Sequence, residues 1–237
     1  MKQGLRGPVR AVLFDVDGTL YRQRPLRLAM AGEMALASMA IWQKRRRLND
    51  LHLMLTFRRL REELRSDDEG DEPLALRQYT AVSRRVGCSV ADVERAVAEW
   101  IHRRPLKWLP FCRRPGLETL LDFLTDRGIH CGVFSDYPVR EKLVALGVAA
   151  RFDLLLSATD GEVGAFKPDP RGFLIASRRW GIPPDQIVYV GDRSEVDAVG
   201  ARAAGMQCAV LMSKRLVQDF VTIADFKELQ RVLDPVC

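Results

Sequence analysis

The spacing of apolar residues changes twice along this chain. Near its start, Val9 to Asp15 is short and almost continuously apolar, the pattern of a strand buried on both faces. From residue 111 onward, short apolar runs alternate with stretches whose apolar positions recur every three or four residues. The pattern predicts strands near Ile129–Phe134, Asp153–Ser157, Gln186–Val190 and Gln207–Leu211, and helices over Leu117–Arg127, Val139–Leu146, Arg171–Trp180 and Glu195–Ala204. Gly128, Gly147, Gly181 and Gly205 stand at the helix ends, where a left-handed residue stops the spiral. Regular alternation of strand and helix implies an α/β fold, a Rossmann-like doubly wound parallel sheet with helices on both faces.

Residues 25–110 read differently. They contain no convincing strand, and Leu53, Phe57, Leu60 and Leu64 follow spacings of four, three and four, so this segment is expected to be an all-helical insertion. The α/β core then comprises 1–24 and 111–237, with a helical domain over 25–110. The polar run Ser66 to Pro73 is expected to be an exposed loop; its carboxylates lack the ligand spacing of a calcium-binding helical hand. The longest apolar stretch, Leu28 to Trp42, is interrupted by Glu33 and falls short of the roughly 20 residues a spanning helix needs; its flanking Arg22, Arg24, Arg27 and Lys44 to Arg47 would suit a helix on a membrane surface, but a buried helix of a bundle, with no membrane partner, is expected.

Composition adds a division by charge. The net +6 is uneven: residues 22–110 hold 18 Lys and Arg against 12 Asp and Glu, which leaves 19 of each elsewhere. A basic segment of this kind attracts phosphorylated substrates, nucleic acid or anionic lipid. Its Lys44-Arg45-Arg46-Arg47 run is short and has only Trp42 beside it to stack on a base, which argues against nucleic acid. Five scattered cysteines form no Cys-x-x-Cys pair and read as reduced thiols. The N-terminus runs directly into the first strand without a signal peptide's apolar segment, so a cytoplasmic protein is expected.

The chemistry concentrates at strand ends. Asp15 and Asp17 close the first strand and point to the same side, which crowds two like charges unless a divalent cation relieves them. Asp15 as a simple strand-end cap before an Asp-Gly turn is the plainer reading. Ser135 ends a predicted strand and offers a hydroxyl, with the Asp136 N–H beside it; a helix cap would use the same residue type. Lys167 stands alone between Gly164-Ala-Phe and Pro168-Asp-Pro, and Asp192 follows the apolar run Ile187 to Val190 with Asp197 five residues later. A carboxylate at the end of a second strand of the same sheet is what a magnesium site needs.

Asp15-Val-Asp-Gly-Thr-Leu20, Ser135, Lys167-Pro168 and Gly191-Asp192 to Asp197 occur in the order and context of the haloacid dehalogenase-like superfamily. The core resembles that family, and the insertion resembles its first-type helical cap by position and helical character, as in the phosphoglycolate phosphatase-like subgroup. The resemblance implies Asp15 as nucleophile and Asp17 as general acid and base. It implies Mg2+ held by the Asp15 carboxylate, the Asp17 backbone carbonyl and the Asp192 carboxylate, with Asp197 behind them orienting a metal-bound water. Gly18, Ser135, Asp136 and Lys167 would bind the phosphoryl oxygens. Family members that displace halide from carbon lack the second acid, so Asp17 points to a magnesium-dependent phosphatase of a small phosphorylated metabolite. A phosphomutase would use the same pair. A retired member that binds a partner should have lost Asp15, Asp17, Lys167 or Asp192, and all four are present. Arg22, Arg24 and Arg27 can reach a second anionic group on a substrate or simply form a solvated basic face.

Overall fold

The structure, a computed structural model, describes residues 5–39, 44–66, 72–212 and 220–235; for 38, 39, 44–48 and 66 it describes the backbone alone. The side chains of the Lys44 to Arg47 run and the acidic residues of 67–71 therefore lie outside the described residues. The chain divides into two compact units, one of Met1–Arg22 with Arg113–Cys237 and the other of Gln23–Cys112.

In the first unit, six parallel strands form one sheet: β1 (Ala11–Phe14), β2 (His130–Ser135), β3 (Leu154–Ser157), β4 (Ile187–Gly191), β5 (Gln207–Leu211) and β6 (Val221–Ile223), in the order β3-β2-β1-β4-β5-β6. The order runs outward in both directions from β1, so the connections reverse beside it, and the carboxyl end of such a reversal is where α/β sheets place ligands. Phe14 lies level with Val133 of β2 on one side and Val190 of β4 on the other. Every residue of β1 is fully buried, as the continuous apolar run requires.

Alternation along the strands shows that both faces are covered. Phe14 makes edge-to-face contacts with Phe152 and with Phe226 of a terminal helix (Phe226–Leu233). Tyr189, one residue before the Val190 that aligns with Phe14, points the other way and meets Phe173 of a helix over Arg171–Trp180; Phe134 joins it on that face. That second helix comes so close that a Cβ on Gly172 would lie 2.2 Å from the Phe134 ring. The four helix-end glycines all adopt positive φ, between 64° and 79°.

The second unit has helices and no strand among its described residues. It comprises α1 (Gln23–Met39), α2 (Lys44–Glu63), α3 (Leu74–Val86) and α4 (Val90–Val97), the last continuing through a widened and then a tightened turn into α5 (Leu109–Cys112). Leu53, Phe57 and Leu60 are buried as their spacing predicts, while Leu64 is half-buried in a 3-10 turn. Asp50 is fully buried, and it accepts from Arg95 at 2.9 Å and from the Trp100 indole at 3.1 Å, which ties α2 to the helical segment after α3. No described helix is long and apolar enough to cross a membrane.

The remaining helices follow in order as α6 (Leu117–Asp126), α7 (Arg140–Ala145), α8 (Arg171–Trp180), α9 (Val199–Ala203) and α10 (Phe226–Leu233). The helix expected over Glu195–Ala204 begins instead as a π-type turn, Ser194–Ala198, before α9. Asp197 sits in that turn.

Candidate active site

Beyond Phe14 the ladder continues for one residue: the Asp15 N–H donates to the Val190 carbonyl at 2.8 Å. The chain then turns tightly, with the Thr19 and Leu20 N–H groups both reaching back to the Val16 carbonyl. Gly18 supplies the φ of 103° that this turn needs and that side-chain-bearing residues avoid. The turn is fastened from behind by Arg114, whose guanidinium donates to the Thr19 carbonyl at 2.9 Å and to the Gly18 carbonyl. Backbone that would otherwise be free to shift is thereby fixed around the Asp15 carboxylate.

Asp15 is buried, and its two oxygens are held separately. Lys167 Nζ donates to Oδ1 at 2.8 Å, and the Thr19 hydroxyl donates to Oδ2 at 3.3 Å. The same ammonium donates to Asp197 Oδ1 at 2.7 Å and to the Tyr189 hydroxyl at 2.8 Å, and the Tyr189 O–H donates to the Phe134 carbonyl at 2.9 Å. Lys167 thus has three oxygen acceptors for three N–H bonds, which offsets the cost of burying it. Its backbone N–H donates to Asp136 Oδ1 at 3.0 Å, anchoring the Lys167 loop to the end of β2.

Asp197 organises the end of β4. Its Oδ2 accepts from the backbone N–H groups of Asp192 at 3.0 Å and Arg193 at 2.9 Å while Oδ1 faces Lys167. The widened turn that carries Asp197 lets its side chain cap this loop, a common use of π-type turns at sites. Gly191 makes the approach possible, because a Cβ there would lie 2.2 Å from Asp197 Oδ2.

Asp17 has its own surroundings. Lys142 of α7 donates to both its oxygens, at 2.7 and 2.6 Å; Ser135 Oγ donates to Oδ2 at 3.2 Å, and the Tyr21 hydroxyl donates to Oδ1. Lys142 is buried, its ammonium 4.8 Å from the centroid of the Tyr137 ring.

Carboxylate oxygens of Asp15, Asp192 and Asp197 come within 4.8 Å of one another. Burial pushes the Asp15 carboxyl up to about 8, with Lys167 pulling it down and Asp197, Asp192 and Asp17 pushing it further up. Asp192 rises to about 6, from burial first and then from Asp197. Asp192 Oδ1 is buried with no hydrogen-bond partner among the described residues. An orphaned carboxylate oxygen beside other crowded carboxylates fits an oxygen-preferring divalent cation.

The sequence-predicted residues therefore meet at the carboxyl ends of β1, β2 and β4: Asp15 with Lys167 and Asp197, Asp192 close by, Ser135 on Asp17, Asp136 on Lys167, and Gly18 in the turn. Sequence reasoning passed over Thr19, Tyr21, Arg114, Lys142 and Tyr189. Lys142 carried a signal: Val139 and Leu146 are buried, and Lys142 shares their helical face at three- and four-residue spacing.

Comparison with known proteins bears on the family. The family model described as haloacid dehalogenase-like hydrolase matches residues 9–205. A glyceraldehyde 3-phosphate phosphatase of Methanopyrus kandleri is 31% identical over 201 residues, 84% of this chain and 82% of that protein. A phosphoglycolate phosphatase of Xylella fastidiosa is 30% identical over 210 residues, covering 86% and 80% respectively. Among solved structures, a 2-haloacid dehalogenase of Pseudomonas syringae superposes with a TM-score of 0.67 at 23% identity over 97% of this chain and 100% of that one, a likeness of fold alone. With its sheet, its converged strand ends and matches that span most of its length, the chain belongs to the haloacid dehalogenase-like hydrolases.

Proposed function

We propose that this chain is a magnesium-dependent phosphatase that hydrolyses a small phosphate monoester through an aspartyl-phosphate on Asp15. The observation that carries the reading is the state of the two strand-end carboxylates. Asp15 is pinned by Lys167 and Thr19, and Asp192 keeps a buried oxygen without a donor among the described residues. The names of the two phosphatases similar over most of the chain support the reaction class.

In this mechanism Asp17, an ionised carboxylate beside Lys142, takes up the proton of the monoanionic phosphate ester as it binds; a carboxylate oxygen of Asp15 then attacks phosphorus, the bond to the substrate oxygen breaks, and Asp17 gives that oxygen the proton. Asp17 then takes a proton from the water that attacks the aspartyl-phosphate, which releases inorganic phosphate and restores Asp15. Lys167 keeps its positive charge beside the nucleophile throughout, and the Ser135 hydroxyl and the N–H groups of Asp136 and Gly18 serve as donors to the phosphoryl oxygens. Asp15, the Asp17 carbonyl and Asp192 would hold Mg2+, which when bound offsets negative charge on the phosphoryl group. Both Asp197 oxygens are already engaged, so its part is to hold Lys167 and the loop after β4. The helical unit is proposed as the cap that selects the substrate, and a cytoplasmic setting fits free Cys88, Cys112, Cys131 and Cys208.

A panel of phosphorylated metabolites that includes 2-phosphoglycolate and glyceraldehyde 3-phosphate, assayed with Mg2+ and with chelator, tests the proposal. Turnover is expected with Mg2+, none with chelator, and none in Asp15→Asn. Chelator-resistant hydrolysis or an active Asp15→Asn protein would overturn it.

A further inference from the structure

Both oxygens of Asp17 face Lys142, and three side chains from separate parts of the first unit donate to that one carboxylate: Lys142 from α7, Ser135 from the end of β2, and Tyr21 from the segment after the opening turn. The ion pair is buried on the lysine side, where the side chain is 8% exposed against 19% for Asp17. Buried pairs of this kind add little stability over an apolar pair of equal volume, because desolvation cancels most of the attraction. They do fix geometry. An ammonium held over both oxygens, with a phenol on one of them, fixes the orientation of the carboxylate.

We propose that Lys142 is a positioning residue that, with Tyr21, holds the Asp17 carboxylate in the orientation from which, once it has taken up the proton of the bound phosphate ester, it hands that proton to the departing oxygen. The proposal rests on the reading of Asp17 as the acid. It predicts that loss of Lys142 harms the reaction in proportion to how much the leaving group needs that proton. A purely structural lysine would slow all substrates alike.

The test compares phenyl phosphate with p-nitrophenyl phosphate, whose leaving group departs readily as an anion. Single-turnover release of the leaving group isolates formation of the aspartyl-phosphate from its hydrolysis. Lys142→Met is expected to lose at least about tenfold more rate on phenyl phosphate than on p-nitrophenyl phosphate, within the range that general acids contribute. Lys142→Arg, which keeps the charge, is expected to recover part of that difference. Tyr21→Phe removes only a hydroxyl, and is expected to shift the ratio in the same direction by less, which keeps the test open if Lys142→Met folds poorly. Equal losses on the two substrates in Lys142→Met and Tyr21→Phe would overturn the proposal. Asp17→Asn serves as the reference. If it too shows no preference between the substrates, the acid role itself falls and this one with it; if it alone discriminates, only the role of Lys142 falls.

Discussion

Asp192 gives its backbone N–H to Asp197 and keeps a buried side-chain oxygen for which no described residue is a donor. If that oxygen is a metal ligand, Asp192→Asn should weaken Mg2+ binding at least about tenfold by calorimetric titration, a loss of roughly 1.4 kcal/mol. The same substitution removes a repulsive charge, so the metal-free variant should melt no lower than the parent. Gly191→Ala tests the neighbouring residue. Its new Cβ would overlap the Asp197 carboxylate at 2.2 Å, and the displaced side chain would release the N–H groups of Asp192 and Arg193. Denaturant unfolding should show a loss of about 1–3 kcal/mol, typical of overpacking, together with weaker Mg2+ binding. At this scale the sequence was most informative where residues closed a strand: Asp15, Ser135 and Asp192 announced themselves by position. Tyr189 did not, because a tyrosine inside an apolar strand reads as core, and only the fold shows its hydroxyl meeting Lys167. Lys142 was hidden for the opposite reason, since a charged residue in a helix is ordinarily assigned to the solvent face.

The helices and strands show where pattern reading works and where it fails. Continuous apolar runs marked β1 to β5 well because both faces of those strands are covered. β6, three residues at the edge of the sheet, is too short to stand out by its spacing. The turn over Ser194–Ala198 looks helical in sequence, but it is widened where Asp197 reaches back to cap the preceding loop, a tertiary requirement invisible to local periodicity. α8 offers a control for the site glycine. Gly172→Ala would drive a Cβ to 2.2 Å from the Phe134 ring. It should destabilise by a similar amount, about 1–3 kcal/mol in denaturant melts, yet leave Mg2+ affinity within about twofold because its clash lies in the apolar layer.

Across the whole molecule, the burial of the site carboxylates, and then their crowding, makes stability depend on pH in an unusual direction. Asp15 ionises near 3.8 in the unfolded chain and at about 8 in the fold, and Asp192 shifts from 3.8 to about 6. Between these values the native state retains protons that the unfolded chain has released. Metal-free protein should therefore lose stability as pH rises from about 4 to about 8, with the Asp192 share lost by about 6. A cation that needs both carboxylates deprotonated should restore more stability at pH 8 than at pH 5. Thermal melts across that range, with and without Mg2+, check both slopes; a melting temperature that climbs from pH 5 to 8 without metal would contradict the first.

The order of the strands also bears on how the polypeptide is made. β1 lies between β2 and β4, and Phe14 meets Val133 on one flank and Val190 on the other. On the ribosome the opening strand must wait, its apolar side chains unpaired, while the entire helical segment is synthesised, and its second flank closes only when β4 has emerged. Contacts so distant along the chain form slowly. Chaperone dependence during synthesis should accordingly be greatest for chains arrested before residue 190, and should drop once β4 clears the exit tunnel.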